Sequence, residues 1–142
     1  MAFRRRAIAH GLVAATYRED LHVFCGREIT TTGDGFLVVF DDPTRAVRCG
    51  VAMTRSVQRA GLAIRVGIHS GEVDIEGSNA RGVAVHAAAR VMSFATASEV
   101  LVSWTTKDLL EGSGLTIEDA ATHELKGLDG ERRLFRLVPP AT

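Results

Sequence analysis

Apolar side chains occupy both faces of the run Phe36–Phe40 (FLVVF), and a β-rich run, Glu28–Thr32 (EITTT), precedes it across Gly33-Asp34-Gly35. Asp-Gly between β-branched and aromatic runs is the strongest short-range hairpin signal, because such a turn needs positive φ at its centre. A strand apolar on both faces must be covered on both. The pattern therefore predicts a hairpin whose second strand is central in a sheet and whose tip carries Asp34. An acid at that tip either fills a turn that favours Asp or holds a metal ion, and the hairpin pattern alone does not choose between them.

Away from the hairpin the period changes to that of helices. Val13, Tyr17, Leu21 and Phe24 form one apolar stripe within a predicted helix over 4–24, with Gly26 as its stop. Asp42-Pro43 is a helix start, an N-cap acid followed by proline at the first helical position. Ala46, Gly50, Met53 and Val57 then recur at helical spacing, Arg45, Arg48, Arg55 and Arg59 point elsewhere, and Gly61 closes the helix. Leu62–Ile75 reads as strand, interrupted at Ser70-Gly71, and Glu76–Arg81 reads as a loop. Gly82–Phe94 reads as a second buried helix, small and apolar except for His86 and Arg90, which share a face at i,i+4. A strand over Glu99–Ser103 and a short helix over Ser103–Leu110 follow. One more strand is built from Thr116–Glu118 and Thr122–Leu125, then a turn over Lys126–Gly130, and Arg133–Val138 is a last strand. Strands and helices that mix without strict alternation predict an antiparallel-rich α+β sandwich.

Composition narrows the functional classes. With 142 residues and 46% hydrophobic content the chain is expected to form one globular domain over 1–142. Seventeen basic and seventeen acidic side chains cancel, which leaves no electrostatic case for nucleic acid or a membrane as partner. No apolar run reaches the ~18 residues of a membrane span, and Arg4-Arg5-Arg6 is not followed by a signal-peptide pattern. Cys25 and Cys49 have neither zinc nor disulfide-framework spacing and read as reduced thiols, so the expected location is cytoplasmic. Nothing resembles a P-loop or a nucleophile–base pair. His10 and His22 read as helix-surface residues and His123 as a strand residue. His69 ends the alternation Ile64–Ile68 and reads as a structural hydrogen-bonding group.

Five ordered segments, REITTTGDGFLVVFD, IRVGIHSGEV, GVAVHAAARVM, EVLVS and ELKGLDGERRLFRL, resemble the catalytic domain of class III adenylate/guanylate cyclases. The resemblance covers 26–138 and leaves 1–25 as a leading helix. It implies a ferredoxin-like α/β sandwich acting as a head-to-tail homodimer with composite sites at the interface. It further implies conversion of ATP or another nucleoside triphosphate to the cyclic nucleotide and pyrophosphate. Two metal ions, Mg2+ or Mn2+, suit an in-line displacement because both the attacking and the leaving oxygen need their charge neutralised.

Carried over position by position, the resemblance makes Asp34 one of two metal-binding aspartates. The other belongs to an opening strand of the type Phe-x-Asp-x-x-x-Ser/Thr, for which this chain has no counterpart, so that strand is expected to be missing and its neighbours' edges uncovered. The adenine-selecting lysine and aspartate of the family become Thr30 and Asn79. Both are neutral, and charge-assisted hydrogen bonds are roughly twice as strong as neutral ones. Arg90 matches the transition-state arginine, His86 stands where the family has asparagine, and Lys126 lies near a phosphate-contacting lysine. Asp41 and Asp42 fall at the far end of their strand from Asp34 and cannot replace the lost acid. The expected function is an adenylate cyclase-type domain, weak or inactive as given. The alternative is a non-catalytic cyclase-homology domain that binds nucleotide or a protein partner.

Overall fold

The computed structural model describes residues 4–12, 27–29, 35–59, 61, 63–76, 79–124 and 131–138. In chain order these form β1 (Arg4–Leu12), β2 (Arg27–Ile29), β3 (Gly35–Phe40), α1 (Pro43–Arg59), β4 (Arg65–Glu76), β5 (Asn79–Arg81), α2 (Val83–Ser93), β6 (Glu99–Ser103), α3 (Trp104–Leu109), β7 (Thr116–Glu124) and β8 (Glu131–Val138). The sheet runs β2-β3-β1-β4-β6-β8-β7, with β5 folded back on β4. Its first four strands are mutually antiparallel in the order of a ferredoxin-like sandwich.

The two strands of the predicted hairpin pair antiparallel, Arg27, Glu28 and Ile29 with Val39, Val38 and Leu37, while residues 30–34, which include the predicted turn, lie outside the described residues. Alternate residues of β3 enter different cores, as a strand covered on both faces requires. Val38 and Phe40 pack with Met53 and Val57 of α1, while Leu37 and Val39 pack with Ala84 and Ala88 of α2. The helices therefore lie on opposite faces of the sheet. Helix α1 starts as its sequence indicates, the Thr44 backbone N–H donating to Asp42 Oδ1 at 3.0 Å. It ends where the Gly61 N–H donates to the Gln58 carbonyl at 2.9 Å, with Gly61 at φ 81°.

Residues 4–12 are not helical, and the slot expected to be empty is filled. Strand β1 lies between β3 and β4, antiparallel to both, with Ile8 opposite Val39 on one side and His69 on the other. A vacant slot would leave two rows of backbone N–H and C=O groups unmatched, and one strand satisfies both rows. That tertiary demand outweighs a helical pattern already weakened by Gly11, since glycine costs a helix interior about 1 kcal/mol. The remaining part of the predicted helix, 13–24, lies outside the described residues, as does Cys25.

Strand β4 also differs from expectation by running unbroken through Ser70-Gly71, a dipeptide that reads as a turn. Gly71 lies within the strand at a place with no room for a side chain, since a Cβ there would lie 2.9 Å from the Ala84 Cβ. The loop predicted over Glu76–Arg81 is instead a tight return, Asp74, Ile75 and Glu76 pairing with Arg81, Ala80 and Asn79. Strand β7 is continuous because a register shift between Asp119 and Ala121 absorbs its irregular middle.

Candidate functional site

Helix α2 carries the two side chains singled out by the i,i+4 spacing. Ala84, Ala87, Ala88 and Val91 form its buried face, and alanines are small enough to let the helix lie directly on β4. His86 and Arg90 project from the opposite, exposed face, in line with Val83, which is 50% exposed. The Arg90 guanidinium stands 5.3 Å from the centre of the Phe94 ring, and the Ser93 hydroxyl donates to the Arg90 carbonyl at 2.6 Å. The ring and the last helical turn thus steady the stem of a cation directed outward.

The helix starts at Gly82, whose φ of 133° is open to glycine, and a Cβ there would meet the Glu72 carbonyl at 3.1 Å. Met92 and Ala88 lie against Gly67 and Ala84 against Gly71, so α2 runs back along β4 and its Arg90 end lies near the start of that strand. Gly35 pairs with Leu12, and Leu12 with Arg65. The residues flanking the hairpin turn therefore sit at that same end of the sheet. Asp34 and Thr30 themselves, and Lys126, lie outside the described residues. Asn79 opens β5 opposite Glu76, at the other end of β4.

Behind α2, His69 is buried at 5% exposure. Its Nδ1 is hydrogen-bonded to the Ser103 hydroxyl at 2.7 Å and approached by the Thr105 hydroxyl at 3.3 Å. Ser70 and Thr106 hydroxyls meet at 2.9 Å beside it. Burial pulls the imidazole pKa down from 6.5 to about 4, because desolvation disfavours the charged ring. His69 is thus the structural hydrogen-bonding residue its place in the alternation suggests. Ser103 and Thr105 arrive from a different strand and helix, which no local pattern near His69 signals.

The profile of the adenylate and guanylate cyclase catalytic domain matches residues 13–138. This chain belongs to that family. Among curated relatives of the cyclase-family chain is "Putative adenylate cyclase 3" of Rhizobium meliloti, 29% identical over 143 aligned residues that cover 92% of this chain and 24% of that protein. The chain thus spans about a quarter of the length of that relative. The adenylate/guanylate cyclase/hydrolase of Silicibacter pomeroyi superposes with a TM-score of 0.86 at 22% identity, covering 99% of this chain and 100% of the other. The adenylyl cyclase CyaB of P. aeruginosa gives a TM-score of 0.79 at 20% identity, covering 99% and 98%. The mixed α+β fold of this chain is that of cyclase catalytic domains.

The cyclase match begins at Val13, one residue past β1. Strand β1 completes the sheet, yet its sequence, RRRAIAHGL, contains no aspartate or glutamate. Among the described residues no three His, Cys, Asp or Glu side chains gather into a metal-binding group. Among the described residues the set does not fit a two-metal centre: β1 brings Leu12, Gly11 and His10, and no carboxylate, to the Gly35 end of the sheet, while its arginines pair at the far end with Val73, Glu72 and Gly71.

Proposed function

We propose that this chain is an adenylate cyclase-type domain that binds a nucleoside triphosphate between two copies of itself and turns it over weakly or not at all. The observation that carries this reading is the combination of an outward-facing Arg90–His86 pair on α2 with a carboxylate-free β1. An exposed guanidinium suits the developing charge on phosphoryl oxygens supplied from another subunit, and His86 is spaced to orient a ribose. Thr30 and Asn79 would face the base as neutral hydrogen-bonding groups and Lys126 a phosphate. Asp34 would remain as the sole metal-binding carboxylate, and loss of one metal ligand removes several kcal/mol of transition-state stabilisation. The same β1 composition favours the second reading, a non-catalytic cyclase-homology domain for nucleotide binding or protein association.

The test is incubation of the purified chain with ATP and manganese, followed by cyclic AMP detection and size-exclusion chromatography. The expected result is a dimer with little or no cyclic AMP. Robust product that disappears in Asp34→Ala would overturn the impaired reading, and a clean monomer without nucleotide binding would overturn the composite site.

A further inference from the structure

Helix α1 has arginine as its only charged residue type, and its four arginines form one row. Arg45, Arg48, Arg55 and Arg59, with Ala52 in the gap, follow steps that keep them on a single side across about 21 Å of helix. The buried residues Ala46, Gly50, Met53 and Val57 lie away from that row. Local energetics bear on the row differently at its two ends. The first turn of α1 holds no acid, and arginines near a helix N-terminus face the positive end of the dipole. Arg55 and Arg59 are like charges at i,i+4, which repel. Arg45 has Asp42 at 3.6 Å. Arg48 donates to the Ser113 carbonyl at 3.2 Å and Arg59 to the Ser56 hydroxyl at 3.3 Å, both uncharged acceptors. Four guanidinium groups thus share one side of α1, from Arg45 beside the capping Asp42 to Arg59 in the last turn, where the helix dipole favours a cation.

Beside the row lies a cleft of about 310 Å³ between α1, the turn entering β6, and β8. Its apolar floor is Val51, Val100 and Leu137, and Arg55, Gln58 and Arg136 stand at its rim. The wall is braced. Ser98 is held at φ 64°, and its N–H donates to the Ile64 carbonyl at 2.7 Å. Glu99 takes the Thr96 N–H at 3.0 Å on one oxygen and Arg136 Nε at 2.9 Å on the other. The hydrogen bond to Glu99, with a second to Glu118, raises the Arg136 pKa above its ordinary value.

We propose that the arginine row and this cleft form a docking site for an acidic protein segment, carboxylates along the row and one apolar side chain in the cleft. Guanidinium forks match carboxylates bidentately, and a braced cleft with an apolar floor receives an anchor residue. The apolar side of α1 is turned into the core, so the helix cannot lie in a lipid interface. None of the residues lining the cleft is aromatic, so it offers no stacking platform for a nucleic-acid base. The site lies on the opposite face of the sheet from His86 and Arg90 and stands independently of the cyclase reading.

Fluorescence anisotropy of the whole chain tests this with a labelled Glu/Ala peptide carrying a central Phe and its Gln counterpart. A DNA duplex and phosphatidylserine-containing vesicles complete the probes. The acidic peptide should bind saturably, weaken with salt, and lose about tenfold or more in affinity in Arg48→Gln/Arg59→Gln. Arg133→Gln on β8 should bind as well as the parent, and circular dichroism should show both variants folded. Absence of peptide binding, equal binding of the Gln peptide, undiminished binding by the double variant, or arginine-dependent binding of duplex or vesicles alone would each overturn the proposal.

Discussion

The contact between α2 and β4 makes a sharp quantitative prediction. A Cβ at Gly67 would lie 2.2 Å from Met92 N, 2.5 Å from Met92 Cα and 2.8 Å from the Ala88 carbonyl oxygen. All three are backbone atoms, so no side-chain rotation relieves the overlap. Restoring an ordinary 3.4 Å contact requires α2 to rise by roughly 1 Å, which separates the Ala84, Ala87, Ala88 and Val91 face from the sheet. Overpacking typically costs about 1–3 kcal/mol when side chains can yield. Here Gly67→Ala should reach or exceed the upper end, about 3 kcal/mol, or roughly 10 °C in Tm for a domain of this size. Gly50→Ala is the comparator. The nearest atoms its Cβ would meet are side-chain carbons of Val100, Val66 and Ile68, at 3.4, 3.4 and 3.5 Å. Alanine is about 0.5–1 kcal/mol better than glycine inside a helix, so Gly50→Ala should be neutral or stabilising. Urea titration and thermal circular dichroism read both variants. If Gly67→Ala melts within a few degrees of Gly50→Ala, the direct seating of α2 on β4 is wrong.

Two further predictions concern the titrating and exposed groups. The folded state holds His69 at about pKa 4, below its ordinary 6.5, so it favours the neutral ring. The resulting stability is complete above pH 6.5 and is lost as pH falls toward 4, about 3 kcal/mol across that window. His69→Gln should remove this acid limb, and parallel stability curves for the two proteins between pH 4 and 7 would refute the assignment. Arg90→Ala should leave the thermal midpoint nearly unchanged, within about 0.5 kcal/mol, while weakening binding of a non-hydrolysable ATP analogue about tenfold. An unaltered titration would remove Arg90 from the nucleotide site.

Features written in local chemistry were legible before the structure. The β2–β3 hairpin, the Asp42 cap of α1, β6, and the shared face of His86 and Arg90 each depend on neighbours within one turn or one strand. Features set by distant partners were not. Residues 4–12 read as helix because Ile8 and Leu12 fall at helical spacing with Ala15, whereas pairing with β3 and β4 fixes them as a strand. Gly71 read as a break because Ser-Gly favours turns, yet its missing side chain makes room for Ala84. Glu99 and Arg136, 37 residues apart, meet at 2.9 Å through the pairing of β6 with β8, which no spacing within either strand announces. Of the site residues, Arg90 and His86 are brought to one exposed face, and Asn79 is placed on β5 at the other end of β4.

The central position of β1 bears on how the polypeptide acquires its structure during synthesis. The first nine paired residues must wait for β4, some sixty positions later, before their second edge is met. Until then the emerging segment is an arginine-rich strand with one side open, and closure of so long a loop slows folding. The growing chain therefore reaches its ordered sheet only after Glu76 has left the ribosome, and the interval before that is when chaperones would find it.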